Sequence, residues 1–332
     1  MSTFLTFLNT REERPHRRPD CIEVGPGCPV EATLYGYYPS LGWNAFFVGF
    51  FGLCCVINLG LGIRYRTWTY MIALSLGCAA EAAGYAGRVM MNNNPYDDIG
   101  FQIQICLLII APAFVSAGIY LTLKHFTITF GETWSRLRPA WYTYIFITGD
   151  FISLVLQGAG GGLAATGENG SKAQDLGTNL MIAGVIFQVV ILSVFGYLLS
   201  EYTLRTYRRR DKLSMAATEI LTSAKFRLFV AGVMIAYLAI FTRCVYRIPE
   251  LTGGWGNELM RNEPEFIALE GVMITIAVFT LTLFHPGFCF PVLGAKQAAQ
   301  YKSVARKEID ESSVEMLPQT NTAYEPYAHR AV

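Results

Sequence analysis

Seven runs of about 20 or more mostly apolar residues constrain this chain more than any other feature. They cover roughly 40–63, 68–91, 101–123, 141–162, 178–200, 228–249 and 266–291. Each is as long as a helix that crosses a bilayer. Lipid offers backbone N–H and C=O groups no partners, so such a span must close its own hydrogen bonds, as an α-helix does. Composition agrees. Hydrophobic residues make up 52% of the 332, charged residues only 15%, and mean hydropathy is +0.34; a soluble domain carries about 25% charge. The expected fold is an all-α membrane protein, a seven-transmembrane helix bundle over 39–292. A polar tail at 1–38 precedes it, and the tail at 293–332 is too polar to build a core.

Charge sets the expected orientation. Segments 64–67, 124–139, 201–227 and 296–307 hold sixteen Lys and Arg, against two in 92–100, 163–177 and 249–264. Basic loops stay in the cytoplasm, which puts the N-terminus outside and the C-terminus inside. The tail arginines Arg11, Arg14, Arg17 and Arg18 lie well before the first run. The sequon Asn169-Gly-Ser171 falls in an outward loop, so Asn169 is an expected glycosylation site. Of eight cysteines, six sit in apolar runs as small hydrophobes. Cys21 and Cys28, in the outward tail, either form a disulfide or remain thiols. The apolar opening Met1–Leu8 is too short for a signal peptide, which leaves insertion to the first span. A net charge of +1 with no basic block gives no footprint for nucleic acid.

Polar side chains stand out against this background. Glu81, Tyr85 and Arg88 share one helical face of the second run, and Asp150, Ser153 and Gln157 one face of the fourth. Gln188 lies at mid-depth in the fifth run, and Glu270 about one turn inside the seventh. Arg243, Tyr246, Arg247 and Glu250 are spaced i, i+3, i+4 and i+7 where the sixth run ends. An ionisable group at bilayer depth costs about 2.5–3.5 kcal/mol on insertion scales, so it normally faces the bundle interior or a wet cavity. Glu81, Asp150 and Glu270 balance Arg88, Arg243 and Arg247, with Glu250 at the rim. Three readings fit: arginines snorkelling to the headgroups, salt bridges that hold the bundle together, or an outward-opening cavity for an amphiphilic molecule. Pro112 must free a carbonyl in the third run. Gly158 and Gly162 form a GxxxG pair expected to pack closely on a neighbour. His285-Pro-Gly287 reads as a helix terminator, with a proton-handling histidine as the alternative.

These motifs together resemble the fungal RTA-like (resistance to aminocholesterol) family, also called lipid-translocating exporters. The matching residues are Glu81-x-x-Gly84-Tyr85-x-x-Arg88, Pro112 with Tyr120, and Asp150-x-x-Ser153-x-x-x-Gln157 with its glycines. Gly184-x-x-x-Gln188, Arg243-x-x-Tyr246-Arg247-x-x-Glu250 and His285-Pro286 complete the set, across about 35–292. The family pattern favours an aspartate where this chain has Glu270; the acid is retained. The resemblance implies a multi-pass plasma-membrane protein, or one of the endoplasmic reticulum or another endomembrane. It implies release or flipping of sphingoid long-chain bases and tolerance of sterol-like or azole compounds.

Other classes fit less well. A seven-helix receptor or lipid-stress sensor shares the topology, but the third run ends Tyr120-Leu-Thr-Leu-Lys-His125 and the seventh lacks Asn-Pro-x-x-Tyr. The seventh run has no lysine for a retinal Schiff base. A lipid-cleaving zinc enzyme needs about three protein ligands, and only His125 and His285 lie at the membrane region. No enzyme activity, metal or cofactor is therefore expected. No G-x-x-x-x-G-K-[ST] loop occurs, so the chain carries no nucleotide engine of its own. The expected partners are membrane lipids.

Overall fold

The computed structural model describes residues 21–130, 139–166, 172–208, 218, 221–254 and 256–289. Among them no strand occurs. Helices α1 (Leu41–Tyr65), α2 (Trp68–Asn93), α3 (Asp98–Phe130), α4 (Pro139–Thr166), α5 (Lys172–Arg208) and α6 (Ala224–Thr252) follow in order. The next rod, α7, is composite. Glu263–Phe266 is α-helical, Ile267–Val272 is a π turn, and Met273–Leu283 is α-helical again. His285 ends it: Phe284 leaves helical geometry, and the Nδ1 of His285 accepts from the Gly287 amide at 3.1 Å. Asn169 and the tail at 293–332 lie outside the described residues.

All of these helices except α2 are long and apolar enough to cross a membrane, which makes this a multi-pass membrane protein. Helix α2 is equally long but richer in Gly and Ala, with Glu81 and Arg88 in its length. The small residues have a packing reason. A Cβ built at Gly87 would stand 2.7 Å from the Gly100 carbonyl oxygen, and one at Gly84 2.7 Å from a Leu108 methyl. Only glycine lets α2 and α3 come that close. Each helix packs on the next, α7 returns to α1, and α3 touches α6 across the middle. Phe51, Tyr85, Tyr120, Phe195 and Phe229 fill the interior, while Phe46, Leu53, Val56, Phe151 and Val194 face outward, as lipid contact requires.

One packing expectation is corrected. A Cβ at Gly158 or Gly162 meets no described atom within 4 Å. The close approach of α4 and α5 instead uses Gly160, whose Cβ would lie 2.6 Å from the Gly177 oxygen, and Gly177, whose Cβ would lie 2.5 Å from the Ala164 amide nitrogen. Residues two apart are separated by about 200° around a helix. Gly158 and Gly160 therefore face opposite ways, and the small-residue pair that packs is Gly160 and Ala164.

Residues 21–39 lie across one end of the bundle, stapled by the Cys21–Cys28 disulfide. Tyr96 donates to the Pro29 carbonyl at 2.8 Å, Asn92 to that of Pro39 at 2.8 Å, and Arg261 to that of Glu31 at 3.2 Å. These bonds tie the segment to the ends of α2 and α3 and to the connection before α7.

Candidate functional site

The proline in α3 organises the centre. Pro112 has no N–H, so the Leu108 carbonyl, four residues earlier, loses its helical donor. Arg243 of α6 supplies one, its Nη2 reaching the Leu108 oxygen at 2.5 Å. The same guanidinium pairs with Glu270. Glu270 sits in the π turn of α7, where Gly271 leaves room for the Phe47 ring and the Tyr85 hydroxyl. Single π turns recur at functional sites because they re-aim one side chain. One turn along α6, Arg247 donates to Glu250 at 2.7 Å. Tyr246, expected on the same face, is half-buried at its edge.

Arg88 has a different set of neighbours. It donates to the Tyr37 hydroxyl at 3.0 Å and stands 3.8 Å from a Glu263 carboxylate oxygen. The rings of Phe266 and Tyr35 lie 4.0 and 5.2 Å from its guanidinium carbon, a cation–π cage. Gln104 donates to the Tyr35 hydroxyl at 2.9 Å. Burial pushes the Tyr35 phenol up to about 12, against the opposing pull of Arg88, and raises Tyr37 for the same reason. Both phenols thus stay neutral at physiological pH. Tyr37→Phe removes the bond to a charged donor and is expected to cost about 1.5 kcal/mol. The fall in unfolding midpoint of the purified protein measures it.

With Arg88 on Glu263, Arg247 on Glu250 and Arg243 on Glu270, two buried acids are left over. Glu81 is 0% exposed, and neither carboxylate oxygen has a hydrogen-bond partner among the described residues. The charges acting on it are Arg243, Glu270 and Arg247. Asp150 is 3% exposed and differently furnished. Its Oδ2 accepts from Ser116 at 2.7 Å and from Tyr120 at 3.0 Å, while Oδ1 has no partner among the described residues. No described cation pairs with it. Further along α4, Gln157 donates to Gln188 of α5 at 3.1 Å. Cys244, next to Arg243, is in electrostatic reach of both Asp150 and Glu270, so the two polar groups adjoin.

The structure therefore brings the sequence-derived charged residues into three neighbouring groups. Arg243, Glu270 and Glu81 come together, with Arg247 and Glu250 beside them. Asp150 stands with two α3 hydroxyls, and Arg88 stands under the N-terminal segment, away from the acids expected to hold it. Ser116, Gln104, Glu263, Tyr35 and Tyr37 escaped sequence reasoning. Gln104, Leu108, Pro112, Ser116 and Tyr120 follow at i+4 intervals in a stripe that winds slowly around α3, a pattern visible in the sequence.

The model of the family described as RTA1 like protein matches residues 74–292, which hold every one of these membrane acids and arginines. The chain belongs to the RTA1-like family. Relatives within reach of alignment include the sphingoid long-chain base transporter RSB1 of Saccharomyces cerevisiae, 32% identical over 286 residues, 78% of this chain and 75% of that protein. RTM1 of the same species is 27% identical over 67% of this chain and 71% of its own length. Its protoporphyrin uptake protein 1 is 26% identical over 62% and 65%. No solved structure matches. The resemblance read from the motifs is thus a family relationship.

Proposed function

We propose that this RTA1-like protein moves amphiphilic lipid across a membrane, with sphingoid long-chain bases as its substrate class, and that Asp150 receives the amine. The observation that carries the reading is that no cation among the described residues pairs with Asp150. A buried carboxylate without an opposite charge costs several kcal/mol, and a protonated amine removes that cost. Ser116 and Tyr120 already donate to one oxygen, leaving the other for the ammonium. At Glu81 the charges of Arg243 and Arg247 already act on the carboxyl and would oppose an incoming cation. The similarity to a yeast long-chain base transporter supports the same substrate class. The rings of Phe146 and Phe195, packed 5.5 and 4.6 Å from that of Tyr120, suit the alkyl chain.

The topology proposed with it has α2 as a seventh span, the N-terminus outside and the C-terminus in the cytoplasm, in the plasma membrane. The charge asymmetry of the loops supports this. So does the disulfide in the segment at the base-poor end, which suits an oxidising compartment. Tolerance of sterol-like drugs would follow from lipid redistribution.

Efflux of labelled long-chain base from fungal cells, with and without this chain, tests the reading. Asp150→Asn removes a charged contact worth about 1.5–3 kcal/mol and should slow efflux roughly tenfold or more at equal surface level. Efflux that survives the substitution sinks the Asp150 assignment. Efflux indifferent to the chain, with an altered stress response instead, makes it a sensor.

A further inference from the structure

We infer that this protein exchanges one proton for each cationic lipid it carries, with Asp150 holding either the proton or the ammonium. The inference rests on the transporter reading above and adds to it an energy source, which the chain otherwise lacks.

The geometry is that of a carboxyl built for two states. Three arginines are each committed to another acid, Arg88 to Glu263, Arg247 to Glu250 and Arg243 to Glu270. None is left for Asp150. Its Oδ2 accepts two hydroxyl hydrogen bonds, the capacity of one carboxyl oxygen, and its bare Oδ1 is where a proton or an ammonium would sit. One carboxylate cannot bear a proton and an ion-paired ammonium together, so the two compete. The groups around it do not compensate its charge. Helix α3 presents Ser116 and the phenol Tyr120, and α6 presents the thiol Cys244. From α5 come Phe195 against Tyr120 and Gln188 against Gln157, and α4 itself adds Ser153, which donates to the Asp150 carbonyl. Tyr120 and Cys244 are the titratable members of this set.

The exchange balances. The empty site is an uncharged carboxylic acid. When a long-chain ammonium enters, the O–H bond of Asp150 breaks, the proton leaves to water on the side then open, and the carboxylate pairs with the cation. When the cation departs on the other side, the carboxylate takes a proton from water there. One positive charge moves each way, so a proton gradient drives the lipid without net charge transfer. At equilibrium one pH unit supports about tenfold accumulation.

The test uses the purified full chain in liposomes that trap a pH-sensing dye. The probe is N,N,N-trimethylsphingosine, whose fixed charge prevents passage as a neutral amine. With the lumen one unit more acid than outside, the intact protein should accumulate probe toward about tenfold while the lumen turns alkaline, one proton per probe. Asp150→Asn should abolish both signals, and Asp150→Glu, which keeps a carboxyl, should retain them. Tyr120→Phe removes a donor to the charged form and should move half-inhibition of uptake by protons to higher pH, a shift that a merely structural tyrosine would not cause. Protein-dependent uptake that ignores the pH gradient, or leaves the dye silent, overturns the exchange while leaving transport standing. No protein-dependent uptake at all overturns both. The intact protein's own proton signal decides the matter even where a variant fails to fold.

Discussion

Arg243→Ala is expected to lower the stability of the purified protein by about 3–5 kcal/mol, the range for removing one partner of a buried ion pair. Two groups lose their donor at once. Glu270 is left buried without its cation, and the Leu108 carbonyl is left with neither a side-chain nor a helical donor. The second loss can be isolated. In a Pro112→Ala chain, residue 112 regains an N–H that reaches the Leu108 carbonyl through the ordinary helical bond. The cost of Arg243→Ala in that background should fall by about 1 kcal/mol, the net worth of one hydrogen bond. Thermal unfolding of the four proteins closes the cycle. Strict additivity would mean that Arg243 does not serve the carbonyl that the proline frees.

Gly177→Leu is expected to prevent folding of the bundle, and Gly177→Ala to cost about 1–3 kcal/mol. The first new atom at this position would stand 2.5 Å from the Ala164 nitrogen and 2.6 Å from the Gly160 oxygen. These are backbone atoms, so no rotamer change relieves the clash and α4 and α5 must separate. Gly158→Ala, only two residues from Gly160, should behave oppositely. It meets nothing within 4 Å and gains about 1 kcal/mol of helix propensity. Size-exclusion profiles and unfolding midpoints distinguish the two. Equal damage at Gly158 and Gly177 would show that the α4–α5 contact uses another face.

How far the site was legible depended on how local its geometry is. Arg247 and Glu250 are three residues apart on one helix, so their pairing follows from the repeat of the helix. Arg243 and Glu270 lie on different helices, and several assignments of three arginines to the available acids satisfy the same charge count. The balance drawn between Glu81, Asp150, Glu270 and the arginines does not hold pair by pair. Arg88 turns to Glu263, which lies where α7 begins and gave no sign in the sequence of facing inward. Nothing in the sequence placed Tyr35 and Tyr37 over Arg88.

The sequence by itself determined the helical membrane class, the family and most, though not all, of the charged residues that face the interior. Those follow from rules that act along the chain: apolar length against bilayer thickness, and the burial cost of charge. Even the need to satisfy the Leu108 carbonyl follows from Pro112 alone. Only the tertiary structure decided that Arg243 meets that need, that Gly160 rather than Gly158 packs on α5, and that Asp150 has no cation among the described residues. Each of these turns on the rotation of one helix against another. About 100° per residue separates a contact from its absence, and a single strand of letters does not carry that angle.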